Sequence, residues 1–246
     1  MISFTPDQRF IVTGASSGIG EAVALLLNEL GASVIGIGRS RERLDAMKAK
    51  AKHPENVFWE QKDLAEDIEG LPAYVKALKD KYGKFQGMAY CAGIAALQPI
   101  QSLDYELLRK IFDINYFAPI QMVKGVADKR YNVGAGTAIV AIASIAALAR
   151  DKGHLSYAGS KAALIASLKS ISREVVERGI RVNCVSPSNI KTPINMIDGY
   201  EESQKHLYPF GFGKTKDVAD MIVYLLSDKA KFISGQNYVI DSGGVL

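Results

Sequence analysis

The sequence predicts an α/β fold, a doubly wound, predominantly seven-stranded parallel sheet with helices on both faces. Three observations carry this expectation. Short apolar runs recur along the chain, stretches long enough for helices separate them, and a glycine-rich turn follows the first run. Runs this apolar suit strands covered on both sides, as in a parallel sheet between helical layers.

The elements follow in order. Phe10-Ile11-Val12 is a strand that meets glycine at Gly14, and Glu21 to Leu30 has helical apolar spacing stopped by Gly31. Ser33 to Ile37 is a second strand, and Ser40 is placed to cap a charged helix from Arg41 to about Ala51. Val57-Phe58-Trp59, Gly87 to Tyr90, Ala138 to Ile142, Ile180 to Val185 and Tyr238-Val239-Ile240 continue the rhythm. No proline-rich linker or repeat divides the chain, so residues 1–246 are expected to form a single domain. Its main irregularity is Thr192 to Gly213, where Pro193, Gly199, Pro209 and several aromatics break the pattern; by length it is a lid, a binding segment or a disordered loop, and it is the expected substrate loop.

Composition narrows the classes. With 48% hydrophobic and 23% charged residues, the 246-residue chain is neither disordered nor fibrous. Thirty Lys and Arg against 26 Asp and Glu leave +4 without a basic run, so no nucleic-acid partner is expected. Cys91 and Cys184 read as reduced, buried thiols. Met1 to Phe10 lacks a secretion-signal pattern, and the longest nearly apolar segment, Thr137 to Ala149, is shorter than the roughly 18 residues of a membrane span. A soluble, cytoplasmic protein without membrane attachment is the expectation.

Thr13-Gly14-Ala15-Ser16-Ser17-Gly18-Ile19-Gly20 joins the first strand to the first helix, where a doubly wound sheet holds a pyrophosphate. Glycine permits positive φ and close approach, and the free amides of a helix start face the anion. Gly14, Ser16, Ser17, Gly18, Ile19 and Gly20 are therefore candidate cofactor ligands. The segment Ile35 to Arg39 lacks the carboxylate that usually receives an NAD ribose, while Arg39, Arg41 and Arg43 crowd a helix start that disfavours cations. An anion relieves that conflict. Arg39 is read as a 2′-phosphate ligand and the cofactor as NADP(H), against the alternative of a solvated basic helix face. Gly213-Lys214-Thr215 imitates the end of a P-loop, but Tyr208 stands where the first glycine belongs, and a helix start is the better reading.

Ser144 follows an apolar strand at its carboxyl edge, and Tyr157 and Lys161 share one helix face at i and i+4. An adjacent ammonium is expected to lower the phenol's pKa from its ordinary value near 10. Ser144 then donates to a carbonyl oxygen while Tyr157 gives or takes the proton that accompanies hydride movement. The three histidines, His53, His154 and His206, are scattered, and no metal site is expected.

Together these residues resemble the short-chain dehydrogenase/reductase family across essentially the whole chain, in a single-domain, Rossmann-type branch similar to 3-oxoacyl-acyl-carrier-protein reductases. The resemblance adds Asn115, within Asp113-Ile114-Asn115, to Ser144, Tyr157 and Lys161 as a catalytic tetrad. It implies that Lys161 also holds the nicotinamide ribose and that Asn115 holds a water linking Lys161 to solvent. It places Asp63 and Leu64 at the adenine, and Pro187, Ile190 and Thr192 near the nicotinamide amide; Asn183 is a further match. Cys91-Ala92-Gly93 stands where the family often has Asn-Ala-Gly, losing an amide that steadies backbone, and Ala92 and Gly93 keep the cofactor position. Pro187-Ser188 replaces Pro-Gly, and Ser242 is inserted into the usual Asp-Gly-Gly. The resemblance implies a homotetramer and a carbonyl or alcohol substrate, carrier-linked in some relatives. Two other readings stay open: a catalytically inactive NADP(H)-sensing or scaffold protein, and an epimerase or dehydratase.

Overall fold

In the computed structural model, which describes residues 1–149, 152–192 and 205–244 (Lys205 by its backbone alone), seven strands form one sheet. They are β1 (Arg9–Thr13), β2 (Ser33–Gly38), β3 (Val57–Gln61), β4 (Gly87–Tyr90), β5 (Ala138–Ile142), β6 (Arg181–Pro187) and β7 (Asn237–Ile240). All pairings are parallel, in the order β3-β2-β1-β4-β5-β6-β7. The apolar runs behave as expected: β1, β2, β4, β5 and β6 are buried nearly throughout, whereas the edge strands β3 and β7 are partly open.

Strand periodicity divides the core into two layers. Ile11, Ile35, Met88 and Ile139 face α3 (Leu71–Tyr82), α5 (Ala118–Val126) and α6 (Leu155–Val175), and the short α4 (Tyr105–Phe112) packs against α6. Phe10, Val12, Val34, Ala89 and Val140 face α1 (Gly18–Glu29), α2 (Arg41–Lys50) and α7 (Thr215–Leu226). Helix α1 starts earlier than its apolar spacing suggests, because the glycine turn itself winds into the first helical turn. Ser40 caps α2, accepting from the Arg43 amide at 3.3 Å. Lys214 lies at the start of α7, its amide donating to Asp217 Oδ2 at 2.7 Å, which disposes of the P-loop imitation. No helix among the described residues is long and apolar enough to cross a membrane.

Strand order reverses between β1 and β4, with Thr13 beside Tyr90. The connections leaving these strands run in opposite directions, and the crevice this opens at the carboxyl edge is where such sheets bind ligands.

Candidate active site

Two turns meet at that crevice. Gly14 and Gly18 have φ of +67° and +60°, and a Cβ on Gly14 would stand 2.9 Å from the Ala92 nitrogen. Gly20 has a different reason: its Cβ would run into the Gly14 carbonyl oxygen, so a side chain there would force the helix off the turn. Ser17 precedes α1 in extended backbone and makes no side-chain cap bond, which leaves the leading amides to an outside anion. Ile19 is half-buried against the core. The cradle therefore fits a dinucleotide pyrophosphate.

Thr13 joins the two turns. Its Oγ1 accepts from the Cys91 amide at 3.0 Å and the Ala92 amide at 3.1 Å. The backbone steadying that Cys91 was expected to forfeit is thus supplied from β1, by the residue that opens the glycine motif, in a role the motif reading did not assign to it. Both cysteines are free. Cys184 is buried but Cys91 only half-buried, a correction to the sequence reading; burial pushes each thiol up to about 12.

Arg39 is the first residue beyond β2, with Ser16 beside it: a Cβ on Gly38 would lie 3.1 Å from Ser16 Oγ. The Arg39 side chain is 69% exposed, its Nη1 4.0 Å from Asp63 Oδ2. Asp63 spends its other oxygen on the Ala65 amide at 3.0 Å, and Leu64 is buried. Arg41 is engaged elsewhere, 3.8 Å from Asp45 and over the Trp59 ring at 5.7 Å.

On the other side of the crevice, Ser144 lies just past β5, its Oγ accepting from the Ala146 amide at 3.2 Å. Tyr157 and Lys161 occupy successive turns of α6. Lys161 is buried, donates from Nζ to the Ile142 carbonyl at 2.8 Å, and sits 6.0 Å from the centre of the Tyr157 ring. Asn115 lies in a π-helical turn, Asp113–Phe117, between α4 and α5, a widened turn of the kind found at functional sites. Its Nδ2 donates to the Ile94 carbonyl at 2.9 Å and to Ser160 Oγ at 3.2 Å, while Oδ1 accepts from the Ile94 amide at 3.0 Å. Gly93 lets these groups converge, since its Cβ would stand 3.0 Å from Asn115 Oδ1 and 3.5 Å from Lys161 Nζ.

The electrostatics correct one expectation. The Tyr157 pKa is raised rather than lowered: burial is the larger cause, the Ser144 hydroxyl pulls the other way, and Lys161 is not among the influences. The amine is turned toward the Ile142 carbonyl, and its own burial pushes it down to about 8, against the opposing influence of Cys184 and Cys91. The site therefore holds a protonated phenol near neutral pH, with an amine that exchanges its proton close to that range.

Thr192 lies over the glycine turn, its Cγ2 3.6 Å from where a Gly18 Cβ would be. Pro187 ends β6, and buried Ile190 forms a bridge to Gly213. Asn183 is structural: it donates to the Ile233 carbonyl at 3.0 Å and accepts from the Gln236 amide at 3.0 Å, pinning the approach to β7. Of the substrate loop, Pro193, Gly199 and Tyr200 lie outside the described residues. Tyr208 is buried, accepts from Asn189 Nδ2 at 3.0 Å and packs edge-on against Phe212 at 5.1 Å, whereas Phe210 is 89% exposed. His206 is exposed, and among the described residues no group of three or more His, Cys, Asp or Glu is arranged to hold a metal.

Comparison with known proteins agrees with this geometry. Residues 14–244 match the family described as enoyl-(acyl carrier protein) reductase. The chain is 34% identical to the 3-oxoacyl-(acyl-carrier-protein) reductase FabG of Rickettsia conorii, over 99% of this chain and 98% of the relative. It is 31% identical to an NAD-dependent glycerol dehydrogenase of Listeria innocua, over 96% and 93% of the two chains. A short-chain dehydrogenase of Burkholderia cenocepacia, solved in complex with NADP, superimposes with a TM-score of 0.88 at 30% identity, covering 96% of this chain and 97% of that one.

Proposed function

The chain belongs to the short-chain dehydrogenase/reductase family, and on that premise we propose that it is an NADP(H)-dependent reductase of ketones, or the reverse oxidase of secondary alcohols. The observation that carries this reading is the convergence of Ser144, Tyr157, Lys161 and Asn115 beside a glycine cradle that a Cβ would fill. When bound, the nicotinamide supplies or accepts the hydride. Gly14, Ser16, Ser17, Gly18, Ile19, Gly20, Ala92, Gly93, Pro187, Ile190 and Thr192 would hold the dinucleotide, with Asp63 and Leu64 at the adenine.

The chain's own residues handle the oxygen and its proton. Ser144 Oγ donates a hydrogen bond to the substrate carbonyl, stabilising the negative charge that grows there. Tyr157, kept protonated by burial, delivers its proton to that oxygen, so that ketone, hydride and proton together make the alcohol. Lys161, with a pKa of about 8, is suited to return a proton to the phenolate, and Asn115 holds the Ile94 backbone against the same pocket.

Arg39 supports NADP(H) over NAD(H): a largely exposed guanidinium occupies the position where a ribose-binding carboxylate would otherwise stand. Among the relatives, names with each cofactor occur. A carrier-linked acyl substrate is an accompanying reading, supported by the name of the FabG relative; the homotetramer and the cytoplasmic location rest on the family resemblance alone. A sensor or scaffold would have no use for a buried lysine beside a half-buried, desolvated phenol.

The test is to incubate the protein with NADPH and a panel of a β-keto thioester, a ketose and a cyclic ketone, following loss of NADPH absorbance. Turnover on any member is the expected result. Tight NADPH binding with no turnover on any of them would favour the sensor.

A further inference from the structure

Helix α6 begins without the usual device. His154 stands at its N-cap and makes no side-chain cap bond, although the catalytic phenol is only three residues further on. The first turn of a helix carries amides without intrahelical partners and frays readily. Something else has to hold it.

Gln98, in the loop leaving β4, is buried, and its backbone amide, Nε2 and Oε1 are all engaged. Its backbone amide donates to the Gly153 carbonyl at 2.7 Å. Its Nε2 donates to the Asp104 carbonyl at 3.1 Å, and its Oε1 accepts from Ser156 Oγ at 2.6 Å. Gly153 and Ser156 bracket the start of α6, and Ser156, itself buried, immediately precedes Tyr157. Asp104 in turn caps α4, accepting from the Glu106 amide at 2.9 Å and the Leu107 amide at 3.2 Å. One buried amide side chain therefore ties the start of α4 to the start of α6. The same loop is fastened at its other end, where Asn115 holds both backbone groups of Ile94.

We propose that Gln98 and Ser156 form a positioning pair that fixes the first turn of α6 from outside and so sets the Tyr157 hydroxyl over the substrate oxygen. The proposal rests on the reading of Tyr157 as the proton donor. Its physical basis is geometric: a displacement of about 1 Å at a reacting group costs up to about a hundredfold in rate. Neither residue touches the reacting atoms, so both act through Tyr157.

Ser156→Thr and Ser156→Val form the informative pair, nearly equal in shape but with and without the hydroxyl. With the ketone best reduced in the panel above, Val should fall about tenfold below Thr in kcat. NADPH affinity and the number of NADPH sites per chain should be equal in the two. Adding Gln98→Met, which removes the Asp104 bond as well as the Ser156 bond, should lower kcat by a larger factor in the Thr background than in the Val background, because one of the two bonds is already gone in the latter. Equal kcat for Thr and Val, or a deficit that follows the loss of NADPH sites, would overturn the positioning role. Should both Ser156 variants fail to fold, Gln98→Met is read against Gln98→Glu, which keeps an acceptor for Ser156 and loses only the Asp104 bond: a lower kcat for Met than for Glu at full NADPH stoichiometry supports the pair, and equal kcat refutes it. Tyr157→Phe separates the two levels. If that variant is inactive while Thr and Val match, only the pair fails; if it keeps full turnover, the proton-donor reading fails as well.

Discussion

Around Tyr157 the groups are committed before any substrate arrives: Lys161 bonds the Ile142 carbonyl, Asn115 grips Ile94, and Ser144 holds the Ala146 amide. Around Arg39 the chain leaves a guanidinium 69% exposed, 4.0 Å from a carboxylate that is itself bonded to backbone. In the first region burial sets the protonation states, raising the phenol and lowering the amine. In the second, water screens the charges, and an ion pair of this kind contributes little until a ligand excludes solvent. Proton transfer thus draws on the rigid side of the crevice, and cofactor choice on the open side.

Four measurements break or sharpen that contrast. The largest effect belongs to the buried side: Tyr157→Phe should lower kcat at least about a hundredfold, the scale of a lost general acid, with NADPH binding retained in a fluorescence titration. Unchanged turnover would remove the phenol from its role. Next, Lys161→Met should change how stability depends on pH. Lys161 is lowered from 10.5 to about 8 in the fold, a difference of about 3 kcal/mol between its charged and neutral forms. Below about pH 8 the lysine is charged in both folded and unfolded chains, and its burial cost is fully present. Between about 8 and 10.5 the unfolded chain holds the extra proton, so wild-type stability rises with pH. The advantage of the methionine variant in urea unfolding should therefore shrink across that window; a gap independent of pH would contradict the buried-amine account.

The exposed side predicts smaller changes. Arg39→Asp should shift the NADPH-to-NADH preference by about ten- to a hundredfold, the worth of one charge-assisted hydrogen bond; a constant ratio of kcat/KM values would refute the assignment. Smallest of all is the salt effect. Raising ionic strength from about 0.1 to about 1 M shortens the screening length from about 10 to about 3 Å and should weaken NADPH binding several-fold, more than NADH binding. Turnover at saturating cofactor should stay nearly constant, and equal salt slopes for both cofactors would show that Arg39 does not meet the phosphate.

Much of this was legible in the residues. Apolar runs located the five inner strands because a strand buried on both faces admits little else, while the partly open edge strands β3 and β7 were visible through Val57 and its aromatic neighbours and through Tyr238-Val239-Ile240. Glycine spacing marked the cradle, since positive φ at Gly14 and Gly18 and contact at Gly20 exclude most side chains. Less legible were residues whose work is done across the chain. Thr13 opens the glycine motif but reaches Cys91 and Ala92 far along the chain, and Gln98, in an ordinary local context, reaches Ser156. The aromatics near residue 210 split between packing and exposure, a choice that local composition does not contain.

By itself the sequence determined the alternation of strands and helices, the glycine turn, the missing carboxylate after β2 and the spacing that puts Tyr157 and Lys161 on one helix face. These are short-range properties, governed by dihedral freedom, periodicity and residue type. Tertiary structure decided the protonation. Whether Lys161 acidifies Tyr157 or turns to a carbonyl depends on how far water is excluded and which backbone oxygen lies within reach. Both are set by strands and helices distant in the chain, because desolvation is a property of everything packed around a group rather than of its neighbours in sequence.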